Sequence, residues 1–397
     1  MKNTPEEEIE ARIRQLQLEM AKREIDAAII VQMIDLFYFT GSCQRGHLII
    51  PVDGEACYLV AKSFSRAQRE SPLANIILQK SFTELPALLR AVAPKAKRIG
   101  MEMDVLPVNT FLRYQQAFPG LEIVDISMEI KKMRMCKSPY EISIIKKGAE
   151  LSRKMLEEVP LILKEGQREV EFAAEVERFL RRHGHQGGIR LRQFNQEVFF
   201  GHIMSGRNIT CASFFDGPTG GPGLSPAYPQ NAGWEKIKAG EPVLVDYVTA
   251  LEGYNVDCTR VFHLGEPAEE LQKAHRAALQ IQSEIVKAGK PGVPCSELYN
   301  MACKMAADFG YEESFMGNGP DKAAFIGHGV GLELDELPVL TAKHCYPLEA
   351  GMVFALEPKI VLPGVGVAGV ENTVLVTADG LEKLTLYPEE ITIIAGS

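Results

Sequence analysis

The sequence carries no excess of basic charge, no long apolar run and no paired-cysteine motif, and each absence removes a class of function. Acidic residues outnumber basic ones, 52 to 43, leaving a net charge of −9 and a pI of 5.6. The chain therefore has no global attraction to nucleic acid or to an anionic membrane. No uninterrupted apolar stretch approaches the roughly 18 residues needed to cross a bilayer. The chain opens with Glu6-Glu7-Glu8 rather than a basic and then apolar segment, so no signal peptide is expected. The eight cysteines are scattered with no C-x-x-C, as expected of reduced, mostly buried thiols in a cytoplasm. Cys258, beside Asp257, is expected to point to the other face of its strand.

At 397 residues and 46% hydrophobic content, two domains are expected. Residues 1–137 read as a compact α/β domain without a chemistry-bearing cluster. Thr4 as cap, Pro5 in the first turn and Glu7 closing a capping box predict a helix start. Ile9, Ile13, Leu16 and Met20 then form an apolar stripe at helical spacing. A short buried strand is expected at 27–31. The runs 48–52 and 56–60 flank Asp53-Gly54, a hairpin signal. Residues 138–397 form the second domain. Ser138-Pro139-Tyr140-Glu141 is a capping box opening a long helix, and amphipathic helices follow at Glu169–Arg182, 271–286 and 296–309. The stretch 216–229 is dense in Gly and Pro, a loop long enough to wall a site. Helices followed by hairpins, twice over, suggest an internal duplication.

The chemistry-bearing residues cluster in the last third. Asp246 and Asp257 lie in apolar, β-branched runs and are equidistant from the point between Leu251 and Glu252, on the Leu251-Glu252-Gly253 turn. An antiparallel hairpin would set them opposite each other. Glu357 and Glu371 are likewise equidistant from Gly364, in Pro363-Gly364. Between the hairpins lies Gly327-His328-Gly329-Val330-Gly331. Like charges facing each other destabilise a sheet unless something neutralises them. Protonation could relieve one pair. Four clustered carboxylates better match two divalent cations, with His328 as a neutral nitrogen ligand. Oxygen donors with one imidazole suit manganese, zinc, cobalt or iron rather than a thiolate site. Taken singly, such acids are more often solvated strand-face residues, and a lone histidine is more often structural. The glycines flanking His328 allow close backbone approach and favour the metal reading.

Asp246, Asp257, Thr259-Arg260, Gly327-His328-Gly329, Glu357-Pro358 and Glu371-Asn372-Thr373 resemble, in order and spacing, the pita-bread metallopeptidase family. That family includes aminopeptidase P, prolidase and creatinase. Phe39-Thr40-Gly41 and the Lys137-Ser138-Pro139-Tyr140-Glu141 junction resemble the group's N-terminal domain. The resemblance implies an α/β creatinase/prolidase-like N-terminal domain followed by an α+β pita-bread catalytic domain. It also implies two metals, manganese favoured, held by Asp246, Asp257, His328, Glu357 and Glu371, with Asp257 and Glu371 bridging. Thr259 and Arg260 would support the ligands. Four positions depart from the family's pattern. Asp335 stands where a histidine follows the metal-binding one by seven positions, and Ser213 where another follows Ser205-Gly206-Arg207-Asn208. Gly369 replaces an arginine and Val248 a glycine.

The implied activity is hydrolysis of a short peptide with proline after the scissile bond, through a hydroxide bridging the two metals. Glu357 would act as both ligand and proton acceptor. Asp335, Ser213 and His202 are the candidate substrate-binding residues. Asp335 could equally be a surface aspartate opening a turn, but its family position favours the pocket. There it would meet a cationic group such as a free amino terminus. His202 could supply a substitute imidazole. The resemblance further implies a homodimer, and no nucleic-acid or membrane partner is expected. Two alternatives remain open: a metal-dependent hydrolase or lyase of a small non-peptide molecule, and a non-catalytic binding module. Asp308-Phe309-Gly310 lacks the glycine-rich loop of a kinase, and Asn208-Ile209-Thr210 is a glycosylation sequon in form only.

Overall fold

A computed structural model of the chain describes residues 3–395. Its internal contacts divide the chain between Arg134 and Met135. No helix among the described residues is long and apolar enough to cross a membrane.

The first unit is built on a mixed six-stranded sheet. Helix α1 (Glu6–Lys22) precedes β1 (Ala27–Ile30), α2 (Met33–Thr40), β2 (Gly46–Pro51), β3 (Cys57–Val60), α3 (Phe64–Glu70) and β4 (Ile76–Leu78). Then come α4 (Leu85–Val92), β5 (Arg98–Met101), α5 (Val108–Ala117), β6 (Glu122–Asp125) and α6 (Ser127–Met135). The strand order is β4-β3-β2-β1-β5-β6. The Asp53-Gly54 turn closes the antiparallel β2–β3 pair, with Leu48 opposite Tyr58. Ile9, Ile13, Leu16 and Met20 of α1 are all buried, as their spacing requires. Its start differs from expectation. Pro5 is the residue preceding the helix, and no side chain caps it. Proline's fixed φ sets the entry, and Thr4 is instead buried, its side chain close to Gly41.

The second unit repeats one design twice. Helices α7 (Pro139–Ile162) and α8 (Glu169–Arg182) lead into β7 (Gly201–Ser205), β8 (Pro242–Tyr247), β9 (Thr249–Leu251), β10 (Tyr254–Val256) and β11 (Cys258–Leu264). Helices α9 (Glu269–Ala288) and α10 (Cys295–Asp308) then lead into β12 (Gly327–Gly329), β13 (Glu336–Val339), β14 (Val353–Leu356), β15 (Lys359–Leu362), β16 (Gly366–Gly369) and β17 (Glu371–Val376). The principal sheet runs β13-β12-β14-β17-β11-β8-β7. The first copy's β7-β8-β11 thus meets the second's β17-β14-β12 at the central β11–β17 pair. The α7 start carries the expected capping box: Ser138 Oγ accepts from the Glu141 amide, and the Glu141 carboxylate accepts from the Ser138 amide.

Strand alternation separates core from site. Val243 and Val245 pack with Met155, Phe172 and Val176 of α7 and α8. Phe354, Leu356 and Val374 pack with Ile281, Leu298 and Ala302 of α9 and α10. Residues of opposite parity, Asp246, Glu357 and Glu371, project from the other face of the sheet. Arg260 ties the central pair to the chain's end. The residue is 1% exposed, and its guanidinium donates to the carbonyls of Thr259, Glu371, Tyr387 and Pro388 and to Asn372 Oδ1.

An ammonium cannot reproduce that planar fork, and each buried acceptor left unsatisfied is costly. Arg260→Lys should lower the unfolding free energy by about 3 kcal/mol, read as a fall in the urea midpoint. An unchanged midpoint would show that the network contributes little.

Candidate metal centre

The two hairpins deliver their acids differently. Around Gly364 the register is as the sequence predicts. Leu356 pairs with Asn372 in β14–β17 and Lys359 with Gly369 in β15–β16, which leaves Glu357 and Glu371 at matching positions between the two ladders. Around Glu252 it is not. Asp246 pairs with Thr259 rather than with Asp257. The turn residues are Glu252 and Gly253, with φ of 49° and 94°. A two-residue turn with both central residues left-handed moves the hairpin centre one residue beyond the expected point. Every partner therefore shifts by two, which preserves the face but places Asp257 diagonally from Asp246.

Asp246, Asp257, His328, Glu357 and Glu371 nevertheless line one pocket. His328 Nε2 lies 3.9 Å from Asp257 Oδ2, 3.6 Å from Glu357 Oε1 and 3.8 Å from Glu371 Oε1. Ligand atoms of Asp257, His328 and Glu371 all fall within 4.8 Å of one another, a possible metal site. Three carboxylate oxygens and an imidazole nitrogen at this separation suit a single first-row divalent cation. The groups beneath are tied down. Thr259 Oγ1 donates to Glu371 Oε2 at 2.6 Å, the Asp257 amide donates to Thr373 Oγ1, and Asp257 Oδ1 accepts from the Cys258 amide.

The other half of the cluster holds a residue that the sequence reading overlooked. Lys359 Nζ lies 2.9 Å from Asp246 Oδ2, 2.9 Å from Glu357 Oε2 and 3.1 Å from Glu371 Oε2. A signal for it existed, since residues two apart on a strand share a face, and Lys359 follows Glu357 by two. Its partner across β15–β16 is Gly369, where the family resemblance leads one to expect an arginine. The carboxylates reaching both His328 and Lys359 are Glu357 and Glu371.

The charges perturb one another. Burial works against ionising Lys359, but Asp246, Glu357 and Glu371 outweigh it and hold the ammonium well above its ordinary range. Burial also opposes ionisation of Asp246, yet Lys359 keeps that carboxyl below its usual value. Asp257 makes no contact with the ammonium: burial, reinforced by Asp246, outweighs the more distant Lys359 and His328 and pushes it up to about 7. Burial and then Asp257 raise Glu371 well above the carboxylate range. His328 is raised despite burial because Asp335, Glu357 and Asp257 face it.

The three substrate candidates part company. Asp335 Oδ1 lies 3.3 Å from His328 Nδ1, where a carboxylate orients a ligating imidazole. It also lines the pocket, as does Asp216. His202 pairs across β7–β8 with Asp246, hydrogen-bonds Gln230 Oε1 and also lines the pocket. Gly201-His202 on β7 is the first copy's counterpart of Gly327-His328 on β12. Ser213 is placed differently: its hydroxyl donates to the Pro229 carbonyl, and the pocket wall is formed instead by Phe215 and its successors through Thr219.

Two family models match this chain. Residues 143–378 match metallopeptidase family M24, and residues 12–136 match the creatinase/prolidase N-terminal domain. The chain belongs to metallopeptidase family M24. An uncharacterised peptidase of Staphylococcus aureus strain USA300 is 31% identical over 378 residues, covering 93% of this chain and 97% of that protein. Among solved structures, the prolidase of Pyrococcus horikoshii OT3 superposes with a TM-score of 0.81 at 27% identity, covering 96% of this chain and 99% of the other. The X-Pro aminopeptidase of Thermotoga maritima MSB8 gives 0.79 at 26%, covering 94% and 99%. The M24 assignment makes the chain a peptidase-type hydrolase with a creatinase-like N-terminal domain and a pita-bread catalytic domain.

Protonation of the M24 carboxylates opposes cation binding. An unfolded aspartate titrates near 3.9, whereas folded Asp257 holds its proton to about 7. The metal-free folded state thus binds more protons than the unfolded state between those values and loses stability as pH rises through them. A cation must displace these protons, so its stabilisation grows with pH. The gain in melting temperature from saturating manganese should be larger at pH 8 than at pH 6; equal gains would contradict this. Asp335→Asn should weaken manganese affinity about 10- to 100-fold, measured by competition with a chelator.

Proposed function

We propose that the protein is a metal-dependent peptidase acting on short peptides, with Xaa-Pro dipeptides or Xaa-Pro amino termini as its substrate class. The observation that carries this reading is the convergence of His328 with Asp257, Glu357 and Glu371 in one pocket. Similarity to proteins described as a prolidase and an X-Pro aminopeptidase supports the substrate class. Asp257, His328, Glu357 and Glu371 would hold a divalent cation. When bound, such a cation acidifies water and polarises a carbonyl. The second cation expected from the sequence would have to share Asp246, Glu357 and Glu371 with the Lys359 ammonium.

The chain's own residues divide the remaining work. Glu357 accepts the proton of the attacking water and passes it to the leaving nitrogen. Asp335 keeps His328 oriented through Nδ1. Asp335 and Asp216 give the pocket wall an acidic character suited to a peptide's free amino terminus. The Phe215 and Phe325 rings supply apolar surface for the substrate's side chains. The reading places the protein in the cytoplasm as a homodimer, and eight scattered cysteines with no C-x-x-C support that compartment.

Exhaustive chelation should abolish cleavage of an Xaa-Pro dipeptide, and manganese should restore it. Glu357→Gln should lower kcat by about 10²- to 10⁴-fold, measured alongside metal content. Activity that survives chelation would sink the mechanism. A metal-loaded protein that leaves every Xaa-Pro peptide intact would move the assignment to a small non-peptide substrate.

A further inference from the structure

We propose that the Lys359 ammonium is a built-in cation standing in for a second metal, so that the centre binds one divalent ion. This deepens the metal-dependent reading above and rests on it.

The geometry carries the argument. An ammonium has three donors and no acceptor, and here three carboxylate oxygens from three residues surround it at 2.9, 2.9 and 3.1 Å. All three donors are thereby used. Asp246, Glu357 and Glu371 are also three of the four acids that two cations would have to share. Glu371 Oε2 is occupied twice over, since Thr259 Oγ1 donates to it at 2.6 Å. The cluster is split by oxygen atom. Glu357 and Glu371 turn Oε2 toward Lys359 and Oε1 toward His328. Each therefore bridges the ammonium and the single position beside the imidazole.

The lysine is also built in. Its side chain is 2% exposed. Its carbonyl accepts from the Met316 amide at 2.8 Å, fixing the backbone. Opposite it, Gly369 leaves room for the stem: a Cβ there would stand 3.1 Å from Lys359 Cγ and 2.8 Å from its Cα. A lysine swinging freely between pocket and solvent would need none of this. An ion entering the Lys359 half would have to expel a buried cation from its three partners. It would otherwise sit against the ammonium, and both alternatives are unfavourable. A lysine cannot ligate a metal while protonated, so it supplies charge and hydrogen bonds to the carboxylates without adding a coordination site.

The test is a metal count. Wild-type protein and Lys359→Ala are saturated with manganese, freed of excess by gel filtration and assayed by elemental analysis and electron paramagnetic resonance. Expected are one equivalent with the six-line spectrum of an isolated ion in wild type, and two equivalents with an exchange-coupled spectrum in the variant. Two coupled ions in wild type would overturn this inference while leaving the peptidase reading intact. No bound ion in wild type, with no peptide cleavage, would overturn both. A folded Lys359→Ala that still holds one ion would show that the lysine does not set the count. Should that variant not fold, Lys359→Gln serves in its place, and the wild-type count decides in any case.

Discussion

Everything in the catalytic unit depends on keeping five acidic side chains, Asp246, Asp257, Asp335, Glu357 and Glu371, together at the bottom of one pocket. Unit charges about 4 Å apart interact by roughly 4 kcal/mol at an effective dielectric near 20, so their mutual repulsion is comparable with the whole stability of a domain. The protein answers it with positive charge of its own. One ammonium against three carboxylates offsets the desolvation it suffers, where a single pair would not. The uncompensated half, on the His328 side, stays poised between protonation and a cation. The raised Asp257 and Glu371 express that balance.

The duplicated architecture explains how the acids reach one place. Each helix pair covers one half of the sheet, so strand residues of one parity are committed to the core. Residues of the other parity are left for the pocket. The two copies meet at β11–β17, and Arg260 beneath that junction binds the strands to residues 387–388. The copies are no longer equivalent. His328 faces the acids with Asp335 behind it, whereas His202, in the matching place, is buried and held by Gln230. One imidazole faces Asp257, Glu357 and Glu371, and the other lies beside Asp246 on the pocket's lining.

Much of this was legible in the chain. The capping box at Ser138, the helix Glu169–Arg182 and the Gly364 hairpin follow local rules, and local rules survive folding. The Glu252 hairpin shows where such reading slips. A turn centre misplaced by one residue shifts every cross-strand partner by two, and only the backbone angles of Glu252 and Gly253 decide it. Ser213 shows a second limit. Its position was inferred by counting along a loop, and loops do not preserve count in space.

The sequence by itself determined the division into two units and the set of acids with His328 through periodicity, spacing and turn chemistry, and the fold family through its motifs' resemblance to a known family. The tertiary structure alone decided that Lys359 lies among those acids, that Glu357 and Glu371 straddle its ammonium and His328, and that Asp335 backs the imidazole. Apart from Lys359 beside Glu357, these contacts join residues brought together only when β8, β12, β17 and the β15–β16 ribbon assemble around one pocket. No local pattern records where a long side chain ends once its stem is buried.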